Sequence, residues 1–269
     1  MTEEYLEPVE LAKELHIDID KNMKNVKPKI QTSVELDNQC KWIVEAIVDK
    51  IKTHNIDWFL VIAGTEGVGK TTLALDIFAE LCELNGYDMR EMLETNLMYD
   101  EDEMLQFLSM LEPNKKYQPI MMDEGANILL NRESMYVKRA YILKFFNVMR
   151  FLNFITIICT PNFNFLDKNV REHRVKSMFY VPQRGVYWYY DKDQINRMIM
   201  NSGKGWKWAE PRFIGTYKVN RALEEITNDI KLRYIDTFKK TIAKFIKSHG
   251  KENENIIDTI KEEQTENGS

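Results

Sequence analysis

Lys70, Thr71 and Thr72 close a run that begins Gly64-Thr65-Glu66-Gly67-Val68-Gly69, and further along the chain Asp123 and Glu124 stand side by side at the end of an apolar stretch. An amine, two hydroxyls and two adjacent carboxylates are the groups needed to hold a chain of phosphates, a hard cation and a water molecule. The spelling from Gly64 to Thr71 is G-x-x-x-x-G-K-[ST]. In such a loop main-chain N–H groups wrap phosphates where no Cβ stands in the way. Gly64 to Thr72 is therefore the expected nucleotide-binding stretch. Lys70 would reach the β and γ phosphates of ATP, and the Thr71 hydroxyl would ligate Mg2+. Asp123 would hold the same ion, while Glu124 would orient and deprotonate the attacking water.

The hydrophobic pattern indicates which elements must position these groups. Trp58 to Ala63 is a continuous apolar run, the mark of a buried strand, and it feeds the glycine loop. From Thr71 to Leu84 the side chains of Leu73, Ile77, Phe78, Leu81 and Leu84 share one side of a helix, with Gly86 as its C-cap. Gln118 to Met122 predicts a second strand, which would present Asp123 and Glu124 at its carboxyl tip, where ligands bind in open α/β sheets. Phe154 to Thr160 predicts a third central strand, fed by a helix over Glu133 to Leu152. Upstream, Thr32-Ser33-Val34-Glu35 spells a capping box, and Leu36, Cys40, Ile43, Val44, Ile47 and Ile51 fall on one face of a covering helix that ends at the turn Asn55-Ile56-Asp57. Asn96 to Tyr99 suits a short strand, and Asp100 to Leu111 a helix with an acidic first turn.

Past Thr160 the reading is less specific. Thr160 or Asn162, at the carboxyl tip of its strand, would either touch the γ-phosphate as a polar sensor or, for Asn162, serve as a turn residue after Pro161. Met178 to Val181 and Val186 to Tyr190 form a hairpin around Pro182-Gln183-Arg184-Gly185. Its Tyr187, Trp188, Tyr189 and Tyr190 would leave one face open as a stacking platform or pack onto the body. Asn201 to Trp208 is a basic loop with aromatics, and Leu223 to Ile242 a long helix. The acidic end from Lys251 has the composition of a disordered tail.

The chain of 269 residues has a net charge of −5, yet Arg139 to Arg221 alone holds 15 Lys/Arg against 5 Asp/Glu. Such an imbalance marks either a solvated face or a surface for DNA. Cys40, Cys82 and Cys159 form no CxxC pair, and the start of the chain lacks a basic segment followed by an apolar one. Both point to reduced thiols and a cytoplasmic setting. No apolar run is long enough for a membrane span, so no direct membrane insertion is expected.

The segments GTEGVGKTT, PIMMDEGANILLNRES and VMRFLNFITIICTPNFNFLDKNVREHRVKSMFYV resemble the core motifs of HerA/FtsK-like P-loop ATPases, in particular small phage, viral and plasmid-type members. The resemblance spans Trp58 to Val181. It implies an α/β P-loop NTPase with a RecA/FtsK-like, mostly parallel sheet, helices on both faces, and an extra strand between the glycine-loop strand and the acidic strand. It also implies a homo-oligomeric, six-membered ring that translocates or packages DNA, with an arginine from one subunit reaching the γ-phosphate of the next. Arg150 is the first candidate, followed by Arg171 and Arg174. The family often places a glutamine where this chain has Pro161-Asn162. Two other functions fit the same loop: an ATP-switched loader or remodelling factor acting on a protein partner, and a small-molecule kinase, for which Glu124 has no use. The expected organisation is an N-terminal arm and covering helix (1–55), an ATPase core (56–190), a C-terminal basic loop and helix (191–250) and the acidic tail (251–269).

Overall fold

The computed structural model describes residues 36–112, 114–123, 146, 149–201 and 209–218, together with positions 228, 229, 232 and 235. The chain divides into two compact units, Met1–Glu224 and Glu225–Ser269. The described residues of the second, Asn228, Asp229, Leu232 and Ile235, are helical, as the pattern from Leu223 to Ile242 predicts. All other elements described here belong to the first unit.

A seven-stranded sheet organises that unit. Its strands are β1 (Trp58–Ala63), β2 (Leu97–Met98), β3 (Pro119–Met122), β4 (Ile155–Thr160), β5 (Val175–Gln183), β6 (Val186–Asp191) and β7 (Phe213–Thr216), in the spatial order β2-β3-β4-β1-β5-β6-β7. The first five in that order are mutually parallel. β6 and β7 then add antiparallel to β5. All six residues of β1 are buried, as the unbroken apolar run predicts for a strand covered on both faces. Alternate residues Phe59, Val61 and Ala63 join a core with Phe146, Met149, Phe163 and Met178. Phe59 and Phe146 meet edge to face at 5.1 Å. Trp58 donates its indole N–H to the Ser177 hydroxyl at 2.8 Å, tying β1 to β5.

The helices are α1 (Asn38–His54), α2 (Lys70–Asn85), α3 (Met89–Asn96), α4 (Glu101–Ser109) and α5 (Lys192–Asn201). α2 packs on α1 and over β1, β3 and β4, while α5 packs on β5 and β6. α2 ends at Gly86, which adopts φ 72° and donates to the last carbonyls, as expected. α4 starts at the cap Asp100, whose carboxylate accepts from Glu103 N. Of the helix expected over Glu133 to Leu152, only Phe146 and the stretch 149–152 lie among the described residues, and they are helical. It stops where predicted, because Asn153 turns left-handed at φ 55° and its N–H bonds back to Arg150 O.

Two expectations are corrected. α1 is capped by Asp37, whose carboxylate accepts from Cys40 N at 2.7 Å, so Leu36 lies outside the helix. The Thr32–Glu35 box falls outside the described residues. The hairpin turn is two residues, Arg184-Gly185, since Gln183 already pairs with Val186. Pro182 is tolerated there because β1, the other neighbour of β5, ends opposite Tyr180 and asks nothing of Pro182. Of the two readings of the hairpin aromatics, packing onto the body is the one found: Tyr187, Trp188, Tyr189 and Tyr190 are all buried. Tyr189 stacks on Phe213 of β7, Trp188 lies against Tyr180, and Tyr187 meets Phe179. β7 and α5 gave no sequence signal that was read, and they are what close the hairpin over.

Candidate active site

The glycine loop, Asp123 and Asn162 lie at the carboxyl edge of the parallel sheet. Ala63, the last residue of β1, is level with Thr160 of β4 and Tyr180 of β5. The glycine loop leaves β1 there and returns as α2. Gly69 is the cap of α2 with φ 96°, in the left-handed region, and brings no side chain of its own to the first turn. That end of α2 carries no side-chain cap, and the helix dipole there favours an anion. No acidic residue stands in that turn to compete. Gly64 is required for a different reason: a Cβ there would lie 2.6 Å from Val181 O on β5. Thr65, Glu66 and Gly67 are exposed at the loop tip, Val68 and Gly69 partly exposed, and Thr72 is buried in the first turn of α2.

Lys70 donates its ammonium to Thr65 O at 2.8 Å, so the side chain spans the loop it would share with phosphate oxygens. The Thr71 hydroxyl donates to Asp123 Oδ1 at 2.9 Å. Asp123 follows the tip of β3 and is buried. Two residues far apart in sequence thus present a hydroxyl and a carboxylate oxygen side by side. These are hard oxygen donors, the set that suits Mg2+ and not a softer ion. Glu124, the expected base, lies outside the described residues, as does Gly125. The sheet order puts β4 between β1 and β3, which is the expected extra strand.

Of the two readings left open for Asn162, the structure realises the local one. Its Oδ1 accepts from Asn164 N at 2.9 Å and caps the short turn Phe163–Phe165. The Thr160 hydroxyl donates to Asn162 O.

The candidate arginines are placed elsewhere. Arg150 precedes β4 and is exposed; its charge, with that of Arg174, acts on Lys176, next to Asp57 at the start of β1. Arg174 donates to Asp57 Oδ2 at 2.9 Å, and Lys176 donates to Asp57 O. Burial pulls the Lys176 ammonium below its ordinary range, and Asp57 partly restores it. Arg171, in the crossover from β4 to β5, donates to Asn164. Arg150 and Arg174 therefore sit at the amino edge, the length of β1 away from the loop, about 20 Å at the usual strand rise. Neither reaches the phosphate site of its own chain.

Residues 60–183 match the model of the family described as "ATPase family associated with various cellular activities (AAA)". This segment is an AAA-type P-loop ATPase domain. The ATPase has a relative 24% identical over 211 residues, covering 75% of this chain and 74% of that one, the "Uncharacterized protein B-251" of Sulfolobus spindle-shape virus 1. Among solved structures it is similar to the N-terminal domain of zonular occludens toxin from Neisseria meningitidis, at 13% identity and TM-score 0.41, covering 63% of this chain and 98% of that one. A RuvB variant of Thermotoga maritima gives 18% identity and TM-score 0.33, covering 52% of this chain and 44% of that one. A chain of the HORMA:CdnC:Trip13 complex from E. coli MS115-1 gives 16% and 0.35, covering 55% and 62%. The AAA-type ATPase binds and hydrolyses ATP. Among its described residues no helix is long and apolar enough to cross a membrane.

Two side chains at this site were missed in the sequence reading. Tyr217, just after β7, donates its hydroxyl to Gly69 O and Val68 O, and Arg184 of the hairpin turn passes beside Gly69. Nothing local marks either one, because 148 residues separate Tyr217 from Gly69.

Proposed function

We propose that this AAA-type ATPase is a cytoplasmic, ring-forming motor of the HerA/FtsK-like kind that translocates or packages DNA. The observation that carries its hydrolytic part is the Thr71–Asp123 hydrogen bond across the carboxyl edge, with β4 spacing the acidic strand from the loop strand. Glu124, the residue after Asp123, is the proposed base for the attacking water. Lys70 and the amides of the glycine loop bind and orient the phosphates. Thr71 and Asp123 would hold Mg2+, which supplies charge neutralisation at the phosphate oxygens when bound. Asn162 spends its Oδ1 on the cap of Asn164, so its Nδ2 donor is the group it would offer the γ-phosphate.

The excess of Lys and Arg over residues 139–221 supports DNA as the polymer. The burial of Tyr187 to Tyr190 removes the stacking platform that would have added to it. That loss favours the second reading, an ATP-switched loader acting on a protein, to the same degree. DNA is expected to raise the ATPase rate severalfold, with the stimulation falling steeply between about 50 and 200 mM salt. An ATPase rate indifferent to single- and double-stranded DNA at low salt would leave the loader as the function. Particle size measured with and without ATP reads ring assembly directly.

Arg150 is the proposed trans arginine, since it is exposed and far from the phosphates of its own chain, whereas Arg174 is engaged with Asp57. Mixing Arg150→Ala subunits into wild-type protein is expected to depress activity more than in proportion to their fraction, because each altered subunit also silences a neighbour's site. A decline linear in dose removes Arg150 from that role.

A further inference from the structure

The sequence motif assigns the glycine loop its shape through the glycines alone, but the structure adds a restraint from the far end of the sheet. Tyr217 is fully buried. Its main chain is pinned by a bond from its N–H to Gly185 O at 3.0 Å, and its hydroxyl lies 3.0 Å from Gly69 O and 3.2 Å from Val68 O. Both are acceptors, so the phenol is the donor. Burial raises its pKa well above the usual phenol range, which keeps that proton in place at any physiological pH.

The geometry of the peptide unit turns this contact into a statement about phosphate binding. In a planar trans peptide the C=O and the N–H point in opposite directions. Holding the carbonyls of Val68 and Gly69 toward Tyr217 therefore aims the N–H groups of Gly69 and Lys70 away from it, toward the concave side of the loop. Gly69 O is also the acceptor for Leu73 N, the first bond of α2, so the tether is continuous with the helix whose end receives the anion. The approach leaves no slack: a Cβ on Gly69 would lie 2.7 Å from the phenol oxygen. Behind Tyr217, Thr216 N donates to Asp37 Oδ2 at 2.8 Å, and Asp37 also accepts from Cys40 N and from the Tyr187 hydroxyl. The tether is thus anchored on the cap of α1 and on the hairpin, not on a loose strand.

We infer that Tyr217 is a positioning residue for ATP, acting through the Val68 and Gly69 carbonyls to preset the phosphate-facing amides. This rests on the ATP-binding reading of the loop and is independent of whether DNA is the polymer. The test is Tyr217→Phe, which keeps the ring and its packing and removes only the donor. Its control is Tyr87→Phe, which removes a phenol donor to a main-chain carbonyl, Lys116 O at 2.6 Å, beyond the far end of α2 and apart from both the loop and Asp37.

Tyr217→Phe is expected to weaken ATP and ADP binding about tenfold, the worth of one to two neutral hydrogen bonds. KM for ATP should rise by a similar factor while kcat stays within about twofold. Tyr87→Phe is expected to lower the unfolding temperature, with KM unchanged. A KM for Tyr217→Phe equal to wild type overturns the inference, and so does a rise in KM matched by Tyr87→Phe, which would reduce the effect to general loosening. If wild-type protein itself fails to bind ATP, the reading of the loop has failed and not the tether.

Discussion

A Glu124→Gln chain is expected to bind ATP as tightly as the unaltered protein and to turn it over about 10²- to 10⁴-fold more slowly, the range general-base catalysis supplies. The amide has the size and shape of the carboxylate but cannot take a proton from water. Binding should survive because the groups that hold the phosphates are a different set: the loop amides, Lys70, and the Thr71–Asp123 pair at 2.9 Å. Nucleotide affinity measured by calorimetry, with phosphate release in a single turnover, separates the two quantities. Hydrolysis within a few fold of wild type would show that another group activates the water.

The second large effect is on binding. Lys70→Ala is expected to lower ATP affinity by about 10²-fold or more and to abolish measurable turnover, because charge-assisted hydrogen bonds to two phosphates are lost together. The fold should hardly notice. Lys70 is partly exposed and its ammonium donates to Thr65 O, within the loop itself, so the unfolding temperature without nucleotide should stay close to wild type. With ATP added, wild type should gain stability and Lys70→Ala should not, since only a ligand that binds the folded state shifts the equilibrium. Equal stabilisation of both by ATP would place the phosphates elsewhere on the molecule.

The two variants also discriminate between the proposed roles. A chain that loses turnover while keeping ATP identifies a group acting on the water, and a chain that loses ATP altogether identifies a group acting on phosphate. Tyr217→Phe should fall between them, with weaker binding at near-normal kcat. That ordering follows from the role of each side chain: Lys70 in the loop meets phosphate, Tyr217 acts on the loop through its carbonyls, and Glu124 is the proposed base.

What the sequence determined by itself is whatever depends on neighbours in the chain. The buried run Trp58 to Ala63, the glycine spelling, the end of α2 at Gly86 and the left-handed stop at Asn153 are local: backbone conformation and periodicity decide them within a few residues. Asp123 was also legible, because an apolar run ending in acids announces a strand tip whatever it pairs with. Only the tertiary structure decided which side chains are covered. Tyr187 to Tyr190 look half-exposed as a strand, and they are buried because β7 returns from a distance to pair with β6 and stack Phe213 on Tyr189. Arg150 and Arg174 could be named but not placed, since the edge of the sheet they occupy follows from the parallel register of β4 and β5 with β1. The contact of Tyr217 with the loop depends on β7 running in the same direction as β1, so that both strands end at the same edge of the sheet. A hydrogen bond between groups so far apart in sequence leaves no periodic trace, because it constrains one atom and not a pattern.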